Sequence, residues 1–220
     1  MRRILTIILV VCCLSSVQAV NAQKKLTEGT ISYDIMINTG TDKPQNADFF
    51  DGATSAVYIK GNRCRTDMIS SLGTQSTIID DAKNTITILK EFGEKKYMIN
   101  LTSANWKDAN KRYEGVVFSY ESGETKNIIG YTCKKAIGKL KDGTTFLVWY
   151  TPELQVESNG CQYANKNLPG IAMQYETTLG NLKVTYTVSK ISFSPVPGSK
   201  FDLPKSGFRI MTYEESKGKG

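Results

Sequence analysis

The order of apolar and polar positions shows several stretches with a period of two. In Thr30–Ile37, Ile31, Tyr33, Ile35 and Ile37 fall on one face, and Ser32 and Asp34 on the other. That alternation predicts a half-buried strand. Ala56–Ile59 and Arg63–Ile69 flank Lys60-Gly-Asn62, and Gln75–Ile79 and Thr85–Leu89 flank Asp80-Asp-Ala-Lys-Asn84. Both read as hairpins. Lys96–Asn100, Val116–Tyr120, Gly130–Leu140 and Thr144–Thr151 continue the series, the last two around Lys141-Asp-Gly143. Ile171–Thr177 and Leu182–Phe193 flank Leu179-Gly-Asn181. Leu182, Val184, Tyr186 and Val188 share a face, whereas Ile191 and Phe193 take the opposite parity. A bulge or sharp bend is therefore expected near Ser189-Lys190.

The period changes once. Residues 102–112 open with Thr-Ser, contain good helix formers, and place Trp106, Ala109 and Tyr113 at spacings of three and four. This predicts a helix capped by Thr102 or Ser103 with one apolar stripe. A second helical or irregular piece is expected over 159–167, ending at Leu168-Pro-Gly170. With about ten or eleven strands, one or two helices and no βαβ rhythm, the expected fold is mainly β (α+β). It is a single curved antiparallel sheet forming an open barrel around the helices. Asn38–Gly52 reads as a polar loop, and Phe201-Asp-Leu-Pro204 closes the domain.

The chain's beginning sets the address. Met1-Arg2-Arg3 precedes an apolar run, Ile4–Leu14, broken only by Thr6, and then small and polar residues up to Ala22. This is the layout of a secretory signal peptide over residues 1–22, cleaved after Ala22 or Ala19. The run is about half the ~20 residues a membrane helix needs. Val11 precedes Cys12 where a lipoprotein signal would put a small residue. The expected organisation is a leader, one domain over 23–208 and a flexible tail over 209–220. The location is periplasmic or secreted, with no transmembrane span in the mature chain.

Composition then narrows the chemistry. Among 220 residues there are 28 Lys+Arg, 21 Asp+Glu and no His. The missing imidazole excludes a Ser-His-Asp triad, a Cys-His dyad and His-ligated zinc. Without Arg2 and Arg3, 26 cations face 21 anions, a net of +5. The cations are scattered, so no nucleic-acid stripe is present. Cleavage leaves Cys64, Cys133 and Cys161, with no CxxC. One disulfide is allowed, with Cys133–Cys161 the pair to test first and three buried thiols the alternative. Cys64 shares a face with Thr66 and Met68 and reads as a small core residue.

Candidate sites are few. Asp80-Asp81 could serve in glycoside cleavage or calcium binding, but Asp-Asp-Ala-Lys-Asn is also a common turn between strands. Tyr131, Phe146, Trp149, Tyr150, Tyr175 and Tyr186 all fall on predicted strands of the second half. They are either plain core or the lining of a concave sheet that holds an apolar ligand.

Three segments carry a family resemblance: EGTISYDI at 28–35, NIIGYTCKKAIGKLKDGTTFLVWYTPEL at 127–154 and NLPGIAMQYE at 167–176. Together they resemble a group of exported Bacteroidetes proteins of unassigned function, with a Gly-Tyr-x-Cys-x-Lys segment, a Val-Trp-Tyr-Thr strand and a Leu-Pro-Gly turn. The chain is similar also to the GLPGLI family, although Asn167 stands for the first Gly and Ala172 follows Ile171. The resemblance implies a fold like the lipoprotein carriers LolA and LolB, an unclosed barrel around helices. It brings no catalytic residue, and Gly130, Tyr131, Cys133, Trp149, Pro169 and Gly170 can all be structural. The functional expectation is a non-enzymatic binder of a lipid, an acylated protein or another apolar molecule, without a cofactor or metal. A structural or interaction module of the envelope is the alternative, and a carboxylate-based hydrolase the third reading.

Overall fold

A computed structural model describes residues 23–38, 52–156, 159–179 and 182–218. The leader with Cys12 and Cys13, and residues 39–51 of the expected polar loop, lie outside the described residues.

Chain order starts with β1 (Lys24–Leu26), β2 (Glu28–Asn38), β3 (Thr54–Lys60), β4 (Arg63–Ser70), β5 (Gly73–Asp80), β6 (Thr85–Phe92) and β7 (Lys95–Leu101). Helix α1 (Ser103–Ala109) and a 3-10 turn, Lys111–Tyr113, follow. Then come β8 (Val117–Ile128), β9 (Tyr131–Lys139), β10 (Thr145–Thr151), β11 (Leu154–Val156) and a 3-10 segment, Asn159–Asn165. β12 (Ile171–Leu179), β13 (Leu182–Ser192), a 3-10 turn (Gly198–Phe201), β14 (Arg209–Met211) and α2 (Tyr213–Lys217) complete the described chain.

Twelve strands form one sheet in the order β14-β7-β6-β5-β4-β3-β2-β13-β12-β10-β9-β8. Every pairing in it is antiparallel except β14 with β7. The sheet does not close, because β14 and β8 stand at its two ends. β1 and β11 pair separately, in parallel. The expected open sheet with few helices is the one observed.

The hairpins follow from their turn residues. β3 and β4 are joined by Gly61-Asn62 alone. The β5–β6 turn closes with Asn84 in the left-handed region, φ 51, a conformation that Asn tolerates. Between Val188 and Lys190 the β13–β2 register shifts by one residue. That bulge returns Ile191, opposite Ile31, to the face of Val188 and Tyr33.

The sheet curves beneath its cover. α1 packs on β6 and β7, whereas the Tyr113 hydroxyl is 2.6 Å from Thr177 Oγ1 on β12. Six ladder steps separate β6 from β12, about 29 Å in a flat sheet at about 4.8 Å per step. The segment from Ser103 to Tyr113 rises only about 15 Å at about 1.5 Å per residue. The Tyr113 side chain adds to that reach, and the sheet curls under the segment, as large twisted sheets do. α1 begins with a capping box between Thr102 and Asn105. It is shorter than the expected 102–112, and Ala109 is exposed. Asn110 takes its place between Trp106 and Tyr113, donating from Nδ2 to the Trp106 carbonyl at 2.9 Å.

Three expectations are corrected. β8 runs to Ile128 rather than Tyr120, with an irregular register between Tyr120 and Thr125. Its residues are mostly exposed because it is an edge strand wet on both faces, so no alternation marks it. Residues 209–217, expected as a flexible tail, form β14 and α2. Tyr213 Oη donates to Asp108 Oδ2 at 2.9 Å and Lys217 Nζ lies 2.7 Å from the same oxygen. A three-residue strand is too short to show a period and is stabilised only by pairing. Finally, Cys133 is a free, buried thiol, so it does not pair with Cys161. Cys64 lies in the core as expected and also carries a disulfide, to a partner outside the described side chains. Burial pushes the Cys133 thiol up to about 11, so it is an inert core group at neutral pH.

Two outcomes are expected. Gly170 lets two backbones touch: a Cβ there would stand 2.0 Å from the Thr151 carbonyl oxygen. Gly170→Ala should cost roughly 1–3 kcal/mol, read as a fall in Tm of roughly 2–4 °C per kcal/mol; an unchanged Tm refutes the close approach. Alkylation followed by peptide mass spectrometry should modify Cys133 only after unfolding.

Candidate functional site

A cavity of about 300 Å³ lies between the concave face and its cover. Six strands supply the floor, through Tyr33, Val57, Met68, Ile79, Tyr175 and Tyr186. Trp106 of α1 and Asn110 just after it, with Gln162, Tyr163 and Asn165 of the 3-10 segment, supply the roof.

Three tyrosines form the floor's centre. Tyr175 and Tyr186 are direct cross-strand partners, and their rings stack at 4.9 Å with 6° between planes. Tyr33 stands edge-on to both, at 5.9 and 6.3 Å. It donates its phenol proton to the Ala172 carbonyl at 3.1 Å. Such ring pairs contribute about 0.5–1.5 kcal/mol beyond their area. Burial raises the pKa of all three phenols, to about 12 for Tyr186. They are therefore neutral hydrogen-bonding groups, not anions, at ordinary pH.

No described side chain lining this cavity is charged. The carboxylates with displaced pKa values lie elsewhere and are all lowered. Glu28 is held down by Lys60, Asp108 by Lys217, and Asp142 by the Thr144 amide. Asp80 accepts from the Lys83 amide at 3.1 Å and lies 3.5 Å from Lys83 Nζ, which makes Asp80-Asp81 part of a turn. Among the described residues, no group of three or more His, Cys, Asp or Glu could hold a metal ion. Among the described residues, Gln162 Nε2 and Asn165 Oδ1 are buried without a hydrogen-bond partner. Both residues border a void of about 30 Å³, the volume of one water molecule.

Two further spaces adjoin the cavity. A groove of about 590 Å³ shares Ile79, Trp106, Gly160 and Tyr163 with it. Trp106 and Tyr163 meet edge-to-face at 6.0 Å and form the common wall. On the other side, a cavity of about 450 Å³ is lined by Tyr113, Leu140, Phe146 and Thr177, with Arg112, Glu176 and Lys183 around them.

The six aromatics singled out in the sequence part company here. Tyr175 and Tyr186 line the central cavity, and Phe146 lines the second. Phe146 lies over Gly138, where a Cβ would come within 2.4 Å of its ring. Tyr150 is buried, edge-on to Tyr120 at 5.8 Å. Trp149 is paired with Gln174, so it lies on the face opposite Tyr175, and Lys126 Nζ sits 5.9 Å from its ring. Tyr131 packs against the core and lines neither cavity. The reading by strand missed Tyr33, Trp106, Tyr113 and Tyr163. The stripe on residues 106–113 was the available signal, since an apolar helical face must cover something.

The family described as "Domain of unknown function (DUF4412)" matches residues 50–159, half of the chain. No curated protein matches it. Among solved structures, an uncharacterized conserved protein from Thermus thermophilus is similar at 8% identity and a TM-score of 0.48, over 87% of this chain and 92% of that one. MucB is similar at 7% identity and a TM-score of 0.42, over 84% of this chain and 60% of MucB.

The buried phenols generate a pH dependence. Their folded pKa values lie above the unfolded value near 10, so their contribution is complete below about pH 10 and is lost as pH rises through the folded values. Tm should fall between about pH 10 and 12, and Tyr175→Phe should make that fall shallower. An equal slope in the variant refutes the burial of this phenol.

Proposed function

The chain belongs to the DUF4412 family, a domain of unknown function, and we propose that it is an exported, non-enzymatic protein that holds an apolar molecule under its curved sheet. The observation that carries this reading is the uncharged, aromatic-lined cavity between the concave face and the Trp106–Tyr163 cover. Pockets of this kind, apolar with a few polar groups, are the usual form of small-molecule sites. Three neutral phenols, Asn110 and Gln75 offer hydrogen bonds without charge. A lipid tail or the acyl group of a modified protein fits this lining. The leader-like residues 1–22 support a periplasmic or secreted location. The resemblance of segments 28–35, 127–154 and 167–176 to GLPGLI proteins, and through them to LolA and LolB, supports the same reading. Among the described residues that line the cavity, none supplies an acid-base pair, which favours holding over converting.

Native mass spectrometry of protein purified from its own host should show a bound mass. The stripped protein should take up fatty acids, with a change in Trp106 emission that is absent from Trp106→Phe. A clean apo mass together with no uptake overturns the reading and leaves the envelope-module alternative.

A further inference from the structure

We propose that Tyr113 sets the length of the chain this site accepts, by closing the central cavity off from the second one; this rests on the apolar-ligand reading above. On β12, Tyr175 and Thr177 point to the same face, about 6.6 Å apart along the strand. Tyr175 lines the central cavity and Thr177 the second. Their cross-strand partners, Tyr186 and Val184, continue the same two rows onto β13. The two spaces are thus neighbours along β12, the second also reaching Glu176, Thr178 and Lys183 of the opposite parity.

Tyr113 stands at the boundary. Its hydroxyl is 2.6 Å from Thr177 Oγ1, and its ring meets Phe146 edge-on at 6.5 Å. It also lies close enough to Tyr175 and Tyr186 to contribute to the rise of both their pKa values. The backbone that carries it is a single 3-10 turn, held by Tyr113 N–H to the Asn110 carbonyl at 2.9 Å and Glu114 N–H to the Lys111 carbonyl at 3.1 Å. A straight alkyl chain that runs along the row from Tyr175 to Thr177 meets Tyr113 where its hydroxyl lies against Thr177. The space beyond, about 450 Å³, has Leu140 and Phe146 in its lining beside threonines and the charged Arg112, Glu176 and Lys183, and its Leu140–Phe146 side receives further methylenes once the ring is gone. An unbranched single chain is the occupant, because the two spaces are neighbours along β12.

The test uses residues 23–220, stripped of lipid, with saturated fatty acids from caprylic to stearic as probes and displacement of anilinonaphthalene sulfonate as the readout. For the wild type, affinity rises with chain length and then levels off. In Tyr113→Ala, and in Tyr113→Leu as a second opening variant, the rise continues at about fourfold in Kd per added methylene, equivalent to about 0.8 kcal/mol each. Tyr113→Phe keeps the ring and the wild-type plateau. Melting curves check that each variant is folded. Identical curves for wild type and both opening variants overturn this assignment while leaving the apolar-ligand reading intact. A wild type that displaces no probe at any chain length overturns both.

Discussion

The twist of the sheet governs the molecule's form. A twelve-stranded sheet accumulates twist and has to curl, split or flatten. Here one short helical segment reaches from β6 and β7 at one end to Thr177 of β12 at the other. The sheet's own twist brings β6 and β12 within reach of that segment and its side chains. The capping box at Thr102 fixes where the helix begins. Asp108, gripped by Tyr213 and Lys217, fastens the helix to the C-terminal elements. The cavity is the space left between a sheet that must curve and a cover that does not fill it.

That space has a consistent chemistry. Its described lining contains aromatic, aliphatic and neutral polar side chains and no charge. Buried phenols at Tyr33, Tyr175 and Tyr186 stay protonated well above neutral pH. Among the described residues, charged groups lie outside this lining, and several pair with one another, as Glu28 does with Lys60 and Lys135 with Glu121 and Glu124. Such a division suits the holding of an apolar molecule, since an ion facing this lining would lose hydration without gaining a partner.

The residues that carry the family resemblance have a different part. Gly170 permits the contact with Thr151, and Cys133 is core. Trp149 faces away from Tyr175. These three positions serve packing and a close backbone crossing, whereas Tyr33 and Tyr175 of the same segments line the cavity. The segments thus carry both the packing of the sheet and part of the site.

Where each strand buries one face, the period of two is written into the chain, and β2, β3, β5 and the slip at Val188–Lys190 were legible. So were the Thr102 cap and the Gly61 and Asn84 turns, because their causes are local. β8 was only half legible, since an edge strand wet on both sides has no alternation to read. β14 was not legible at all, because its stability comes from pairing with β7. The disulfide at Cys64 and the free thiol at Cys133 were beyond reach, since spacing along the chain does not say which side chains meet. Among the aromatics, parity along β10 could have separated Trp149 from Phe146. Nothing local could bring Tyr33, Trp106 and Tyr163, from a strand, a helix and a 3-10 segment, around one space, or set Tyr113 in the next one. The sequence by itself determined the strands, their turns and a helix with one apolar side. The tertiary structure alone decided which aromatics line a cavity and which fill the core, because that depends on how far a curved sheet closes under its cover.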